Sequence, residues 1–354
     1  MYCERFTRTW FILILFAAVV SAAYGEHVMP SIIIFGDSTL DAGNNNYLET
    51  VVKSNFPPYG RDFNPKIPTG RFCNGFMVTD FIAERLGLPF PMPYLHPEAK
   101  GEKIVKGVNF ASSGSGYFDG TAQNFNVASL KQQLQWYHSY RNKLITIVGR
   151  ENASTILSEA LHVISTGSND YVNNYYLNPL LQEQYDTQEF QRKLLLSFEE
   201  FVQELYSAGA RKIIATSLPA LGCLPSQITL HGGGRSVCVD SINKQAAAFN
   251  EELRKDIIVL GENLKGLKLV YFDAYSMLLE ASNNPIKFGF THARRACCGL
   301  GLLATAILCN KLTPGTCSNA SSYIFWDSFH PSSQFNLLIA NDFFKHGLLP
   351  ILKR

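Results

Sequence analysis

Residues 31–46, SIIIFGDSTLDAGNNN, decide the fold. The apolar run at 32–35 consists of strand-forming residues, a pattern typical of a parallel strand that helices cover on both faces. The run stops at Gly36-Asp37-Ser38, and open α/β sheets bind their ligands at this carboxyl edge, so we expect Ser38 to be presented rather than buried. Gly, Asp, Ser and Asn are also common in turns and helix caps, so this stretch alone leaves a purely structural interpretation open.

The rest of the chain alternates between strand and helix patterns. Further strands are predicted at 104–111, 161–165, 212–216 and 267–272, and helices at 76–86, 190–206, 239–260 and 331–344, the last with Pro331 in its first turn. Residues 44–74 are rich in Asn, Pro and Gly and predict a long ordered loop. These patterns favour an α/β fold, a flavodoxin-like three-layer sandwich with a five-stranded parallel sheet covered by helices on both faces.

The N-terminus has the three-part layout of a secretory signal peptide. Arg5 and Arg8 precede an apolar run at 10–20, and small residues follow it up to Gly25. We therefore expect residues 1–25 to be a signal peptide, residues 26–354 to form a single domain, and the protein to be secreted. A membrane anchor is the alternative, but eleven apolar residues fall short of the roughly 20 that a spanning helix needs. No later stretch is long enough to span a bilayer either.

Charge and composition narrow the possible partners. The 31 basic and 29 acidic side chains give a net charge of +2, too small to indicate a nucleic-acid partner. The chain has no CxxC pair and no histidine at ligand spacing, so we expect no metal. The glycines of 114–116 lack the third glycine of a dinucleotide fingerprint, and we expect no cofactor. We expect a monomer.

In a secreted protein, cysteines can form disulfides and exposed asparagines can carry glycans. Seven cysteines follow the signal segment, and local spacing favours one disulfide between Cys223 and Cys238 and two within the cluster at 297–317. Cys73 is then the expected free thiol. Asn152 and Asn319 each begin an Asn-Ala-Ser triplet, so both are expected glycosylation sites.

Four polar clusters follow predicted strands or precede the last helix: GDS at 36–38, GSG at 114–116, GSND at 167–170 and DSFH at 327–330. A serine nucleophile needs a base within hydrogen-bond reach and a third group that orients the base. His330 can take the proton of Ser38, and Asp327, three residues away, can orient the imidazole. The alternative is that His330 only caps the last helix. A histidine base must be neutral, so activity is expected to rise as the imidazole loses its proton.

Charge that develops on a substrate oxygen requires preorganised hydrogen-bond donors. Gly114 can offer its backbone N–H without a side chain in the way, and Asn169 can offer its side-chain amide. Turn chemistry explains either residue alone. Their joint position after successive strands is what favours an oxyanion hole.

Several stretches together resemble one known family. FGDSTLDAGNN at 35–45, VNFASSGSG at 108–116, GSND at 167–170 and DSFHP at 327–331 resemble the four sequence blocks of the GDSL esterases and lipases, the SGNH hydrolases. ACCG at 296–299 and TCSNAS at 316–321 are similar to the secreted plant branch. The resemblance implies a serine esterase or lipase that acts on a lipid or cell-wall acyl ester, without a cofactor.

The resemblance also implies a role for each site residue. Ser38 would be the nucleophile, with Asp327 and His330 completing the triad. The backbone N–H groups of Ser38 and Gly114 and the side-chain amide of Asn169 would form the oxyanion hole. Gly114 is preferred to Gly116 because of its spacing from Asn109.

Two alternative functions and one further oxyanion-hole motif must be considered. The same triad could transfer the acyl group to an alcohol, and a secreted protein that only binds glycan or lipid needs no triad. The HGGG run at 231–234 matches an oxyanion motif of α/β-hydrolases. That fold also needs a Gly-x-Ser-x-Gly turn, which this chain lacks, so we interpret HGGG as a loop.

Overall fold

The structure is a computed structural model that describes residues 29–299, 309–313 and 315–353. The predicted signal peptide, residues 1–25, lies outside the described residues. The main sheet has six parallel strands in the order β2-β3-β1-β4-β5-β6. The strands are β1 Ile32–Gly36, β2 Met92–Pro93, β3 Gly107–Asn109, β4 Leu161–Ser165, β5 Lys212–Thr216 and β6 Lys268–Phe272.

The predicted α/β class is confirmed, but the predicted strand count of five is wrong. The sixth strand, β2, has two residues and one of them is proline, so it carries no alternating or apolar pattern that a sequence could reveal. The strand predicted at 104–111 is also shorter, because residues 101–104 form a 3₁₀ turn and only Gly107–Asn109 run beside β1. By contrast, β4 and β5 have the predicted bounds.

The helices that cover the sheet are α1 Val78–Arg85, α2 Asp119–Gln123, α3 Leu130–Val148, α4 Arg150–Glu159, α5 Ser168–Val172, α6 Pro179–Gln184, α7 Thr187–Ser207, α8 Pro225–His231, α9 Asp240–Asn263, α10 Ala274–Asn283, α11 Ser333–Asp342 and α12 Leu349–Leu352. Eight of them, of which α3 is the longest, lie where no helix or strand is predicted. The last predicted helix begins later than expected: Pro331 precedes it, and the hydroxyl of Ser332 caps it by accepting from the N–H of Phe335 at 3.3 Å.

Both faces of the sheet are buried, as a covered parallel sheet requires. Along β1 the side chains alternate: Ile33 and Phe35 join a core formed with α3, α4, α7 and α9, whereas Ile32 and Ile34 join a second core formed with α1 and the C-terminal helices. The unbroken apolar run of β1 therefore packs against two layers of helices, one on each face of the sheet. No helix within the described ranges is long and apolar enough to cross a membrane.

A long loop and a small second sheet lie at one end of the main sheet. Residues 44–74 contain one 3₁₀ turn, Asn44–Tyr47, and otherwise follow an irregular path, as predicted. The second sheet pairs β7 His292–Ala296 with β8 Tyr323–Phe325 in parallel. Loop and sheet meet in a cluster that includes Tyr59, Phe72 and Trp326.

The disulfide prediction is confirmed by the pairs that the structure forms. Cys223 bonds Cys238, and the cluster at 297–317 contains the other two bonds, Cys297–Cys317 and Cys298–Cys309. The remaining cysteine of the described residues, Cys73, is a buried free thiol, and burial raises its pKa to about 12. A thiol held protonated in this way is a poor nucleophile.

Candidate active site

The turn after β1 holds Ser38 at the carboxyl edge of the sheet. Gly36 has a φ of 141°, and a Cβ atom there would lie 1.9 Å from the backbone oxygen of Ser165, so no side chain fits. Asp37 is buried, and its carboxylate accepts from the N–H of Thr39 at 3.0 Å and from the Thr39 hydroxyl at 2.7 Å. Turn chemistry thus explains Asp37, and the turn leaves Ser38 partly exposed.

Three polar side chains from the two ends of the chain form a continuous hydrogen-bonded line. The Oγ of Ser38 lies 2.7 Å from Nε2 of His330. The Nδ1 of His330 lies 2.8 and 2.9 Å from the two carboxylate oxygens of Asp327. His330 is 6% exposed and Asp327 is 4% exposed, so little water competes with these bonds. This is the geometry that a serine nucleophile, its base and an orienting carboxylate require.

Asp327 accepts more hydrogen bonds than the imidazole alone provides. Its Oδ1 accepts from the backbone N–H groups of Phe329 and His330, and its Oδ2 accepts from the Tyr59 hydroxyl at 2.8 Å. Burial raises the pKa of Asp327, but the nearby His330 and these hydrogen bonds outweigh it and bring the pKa below its ordinary value. Asp327 is therefore ionised, which favours the Nδ1–H tautomer and leaves Nε2 free to accept the serine proton.

Tyr59 and Phe72 are site residues that the sequence patterns miss. Both come from the loop at 44–74: Tyr59 bonds Asp327, and the ring of Phe72 packs on the imidazole of His330 with a centroid distance of 4.9 Å. Tyr59 is 1% exposed and contacts Trp326, which belongs to the strand end that carries Asp327. The only sequence signal is the density of aromatic residues in this loop, which indicates packing but not its partner.

The candidate oxyanion hole has three hydrogen-bond donors, the backbone N–H groups of Ser38 and Gly114 and the side-chain amide of Asn169. Among the described residues, neither the Ser38 nor the Gly114 backbone N–H donates to any acceptor, although the N–H groups of residues next to them do. The Asn169 amide donates one hydrogen to the backbone oxygen of Ser115 at 2.9 Å, and its other hydrogen has no acceptor in the described part of the chain. Ser38, Gly114 and Asn169 all line one cavity.

The DAGNN segment that follows Ser38 fixes the path of the chain to Gly114. Asp41, fully buried, accepts from the N–H and the hydroxyl of Ser113 at 3.1 and 2.8 Å. Asn45 donates to the Ser113 oxygen at 2.8 Å and accepts from the Ser112 hydroxyl at 2.6 Å. These bonds bring the second sequence block beside the first and hold Gly114 near Ser38.

Asp170, the last residue of the GSND block, fixes the other side of the same loop. Its carboxylate accepts from the N–H groups of Tyr117 and Phe118 and from the Thr121 hydroxyl. A Cβ atom on Gly116 would lie 2.2 Å from this carboxylate, so Gly116 allows the close approach. Burial raises the pKa of Asp170 to about 7, although the three donors oppose the shift. Gly116 thus packs on Asp170, whereas Gly114 lines the cavity.

Gln133 on α3 is a third buried residue that the sequence patterns miss. Its Oε1 accepts from the N–H of Gly36 at 2.9 Å, and its Nε2 donates to the Gly36 oxygen at 2.9 Å and to the Ser115 hydroxyl at 3.1 Å. One side chain thereby connects the end of β1 to the loop that carries Gly114. Its apolar neighbours on α3 give no indication of this role.

The chain matches one known protein family over most of its length. The sequence model of the family described as GDSL-like Lipase/Acylhydrolase matches residues 32–343. This chain belongs to that family. The resemblance of the four sequence blocks is thereby confirmed, and an ester hydrolase is the enzyme class that membership in the GDSL family implies.

Similar GDSL proteins cover nearly the whole chain. One GDSL esterase/lipase of Arabidopsis thaliana is 48% identical over 96% of this chain and 99% of the relative, and another is 50% identical over 92% of each. A third, named GDSL esterase/lipase APG, is 42% identical over 97% of this chain and 98% of its own. A solved acetylxylan esterase of Geobacillus stearothermophilus aligns over 90% of this chain and 93% of its own, at 15% identity and a TM-score of 0.41, too low to support an inference.

The cavity of this GDSL chain is largely apolar. It has a volume of about 540 Å³ and extends from Ser38 and His330 between the long loop and helices α10 and α11. Its apolar wall includes Val52, Phe56, Val172, Leu224, Leu278 and Phe335. Such a wall suits hydrocarbon and offers little to a charged group.

Other candidate positions lie apart from this cavity. Asn152 on α4 and Asn319 are both exposed, so a glycan could reach either one. The HGGG run begins at the last residue of α8, and among the described residues that line the cavity none comes from 231–234. Within the described ranges, no group of three or more His, Cys, Asp or Glu side chains is placed to hold a metal ion.

The pH dependence of activity should follow one histidine. A base must be neutral to accept the Ser38 proton, so log kcat/KM should rise by about one per pH unit along an acid limb and then reach a plateau. Asp327, whose pKa is lowered from 3.8, stays ionised over this range and adds no second proton. A pH profile of kcat/KM on a slow ester measures this limb.

The contribution of Asp37 to the pH profile must be distinguished from that of His330. Burial raises the pKa of Asp37 to about 6, against the opposing effect of its Thr39 hydrogen bonds, so it could titrate in the same region. Asp37→Asn removes this titration while keeping a side-chain oxygen for Thr39. A limb that persists in Asp37→Asn, and also in Asp170→Asn, which removes the other buried carboxyl with a raised pKa, belongs to the histidine. A limb lost with either carboxyl, or a flat profile in the unaltered enzyme, contradicts the assignment.

Proposed function

We propose that this protein is a secreted, monomeric serine esterase that hydrolyses esters of apolar acyl groups through an acyl-enzyme intermediate. The observation that carries the proposal is the 2.7 Å contact between Ser38 Oγ and His330 Nε2, backed by the buried Asp327 carboxylate. A protein that only binds its ligand has no use for a buried base aligned on a partly exposed serine. Glycans on Asn152 and Asn319 are part of the same proposal.

In both halves of the reaction the transferred proton is carried by His330 Nε2. Ser38 Oγ attacks the ester carbonyl carbon while its proton passes to His330 Nε2, and the resulting oxyanion accepts hydrogen bonds from the Ser38 and Gly114 N–H groups and the Asn169 amide. The imidazolium then returns the proton to the alcohol oxygen as the carbon–oxygen bond breaks. Water attacks the acyl-serine next, His330 takes its proton and passes it to Ser38, and the carboxylic acid leaves.

The cavity wall favours hydrocarbon next to the reacting carbonyl. Burying one methylene group contributes about 0.8 kcal/mol, so each carbon that the wall covers should raise kcat/KM severalfold. A carboxylate in the same place would lose its water without gaining a Lys or Arg partner among the described residues that line the cavity. The substrate class we propose is therefore a neutral lipid-like or other apolar acyl ester, and not an acyl group that ends in a charge.

A matched ester panel tests this proposal. We expect p-nitrophenyl hexanoate to exceed p-nitrophenyl acetate in kcat/KM by at least about tenfold, and a six-carbon acyl group with a terminal carboxylate to fall at least about tenfold below hexanoate. Ser38→Ala supplies the background rate for every ester. Preference for acetate, or tolerance of the carboxylate, would refute the apolar acyl group, and rates equal to the Ser38→Ala background would refute the esterase.

A further inference from the structure

The Asn169 side chain is held at both ends. Its Nδ2 donates to the Ser115 backbone oxygen at 2.9 Å, and its Oδ1 accepts from Nδ2 of Asn173 at 2.7 Å. Asn169 is buried, Asn173 is half-buried, and both line the cavity that contains Ser38. The contact with Asn173 spans one helical turn, because Asn173 directly follows the last residue of α5.

These two contacts allow only one orientation of the Asn169 amide. A backbone oxygen can only accept, so the end of the amide that faces Ser115 must be its nitrogen. The oxygen then faces Asn173, which must donate. If the Asn169 amide rotated by half a turn, its oxygen would face the Ser115 oxygen and that hydrogen bond would be lost. Its nitrogen would face the nitrogen of Asn173, so the second hydrogen bond would be kept only if the Asn173 amide rotated as well.

We propose that Asn173 is a positioning residue for ester hydrolysis: it locks the Asn169 amide so that the second N–H points to the substrate oxygen. This inference rests on the proposed function. A donor that is already oriented needs no reorganisation as charge develops on the oxygen, so a lock on the donor lowers the barrier without touching the substrate. The expected signature is a loss in kcat at nearly constant KM.

A purely structural role for Asn173 is the competing explanation. Its backbone N–H donates to the Asn169 backbone oxygen at 3.1 Å and so closes α5. That backbone bond persists when the side chain is replaced by alanine or aspartate. Side-chain variants therefore test the contact with the Asn169 amide and leave the helix end in place.

Two single variants measure the lock. Asn173→Ala should lower kcat about tenfold and change KM by less than about twofold, because the Asn169 amide is then held at the Ser115 end only. Asn173→Asp keeps the shape of the side chain but cannot donate, so it should lower kcat at least as much. Should the alanine variant fold poorly, the isosteric aspartate variant carries the test. A kcat within about twofold of the unaltered enzyme in either folded variant overturns the proposal.

A double-mutant cycle separates positioning from stability. Once Asn169 is alanine there is no amide to orient, so Asn169→Ala/Asn173→Ala should have the same kcat as Asn169→Ala within about twofold. Independent, multiplying losses would overturn the proposal. The matched control is Asn178→Ala, which removes the side-chain cap of α6 and should lower thermal stability while leaving kcat unchanged.

The ester used is the best substrate of the panel, with Ser38→Ala as background. If the unaltered enzyme does not exceed that background, the proposed function has failed. If it turns over and Asn173→Ala turns over equally fast, the positioning role alone has failed.

Discussion

Replacing His330 with alanine should lower kcat/KM by about 10⁴–10⁶, because the serine then has no base and no acid for the leaving alcohol. Among the described residues, the imidazole is the only side chain within hydrogen-bond distance of Ser38 Oγ, at 2.7 Å. Asp327, left buried without the imidazole, keeps its bonds from Tyr59 and the backbone, so the fold should survive. Kinetics on the best ester and a thermal midpoint from the same preparation measure both effects.

The chain supplies its own control for this variant. His346 forms the same kind of pair with a carboxylate, Nδ1 to Asp342 Oδ1 at 2.8 Å, but it is exposed, and no serine of the described residues bonds its ring. His346→Ala should leave kcat/KM within about twofold of the unaltered enzyme, since an exposed ion pair contributes little. Equal losses in the two histidine variants, or a loss of less than about tenfold in His330→Ala, would contradict a base at His330.

Replacing Asn169 with alanine should lower kcat by about 10²–10³ and change KM little, because the contact with the substrate oxygen strengthens in the transition state. The variant also removes the 2.9 Å donor of the Ser115 oxygen, which then accepts only from the Thr166 hydroxyl at 3.4 Å, and this should cost about 1 kcal/mol of stability. The backbone of α5 and the Gly114 loop, which Asp170 holds, should stay in place. Turnover and thermal midpoint are measured together.

Asn250 provides the comparison for a purely structural asparagine. It is buried, and its side chain accepts from the N–H of Leu218 at 2.8 Å and donates to the Leu218 oxygen at 2.9 Å, which stabilises the turn after β5. Asn250→Ala should lower the thermal midpoint and leave kcat within about threefold. If Asn169→Ala behaves in this way, destabilised but with normal turnover, Asn169 does not belong to the oxyanion hole.

The sheet edge and the residues gathered there are predictable because their signals are local. The apolar run of β1, and those of β4 and β5, each indicate a strand within five residues, and polar residues that follow parallel strands must meet at one edge. Asp327 and His330 lie three residues apart, so one turn brings them together whatever the rest of the chain does. Only the contact between His330 and Ser38 depends on the fold of the whole chain.

Other parts of the site depend on contacts between distant segments, which no local pattern encodes. Tyr59 reaches Asp327 across 268 residues of sequence, and Gln133 reaches Gly36 across 97. Gln133 occupies a core position on α3 where a helix pattern predicts an apolar residue. Strand β2 contributes two residues, held by the neighbouring β3 rather than by strand propensity.

Covalent labelling of Ser38 tests the central claim most directly. A fluorophosphonate probe reacts when an activated serine oxygen attacks phosphorus and displaces fluoride, so it reports the nucleophile without any assumption about the natural ester. The folded protein should take up one label, which tandem mass spectrometry should locate on Ser38. Ser38→Ala should abolish the label, and His330→Ala should slow it. A folded protein that stays unlabelled, or that carries the label equally after Ser38→Ala, would contradict a serine hydrolase built on Ser38, His330 and Asp327.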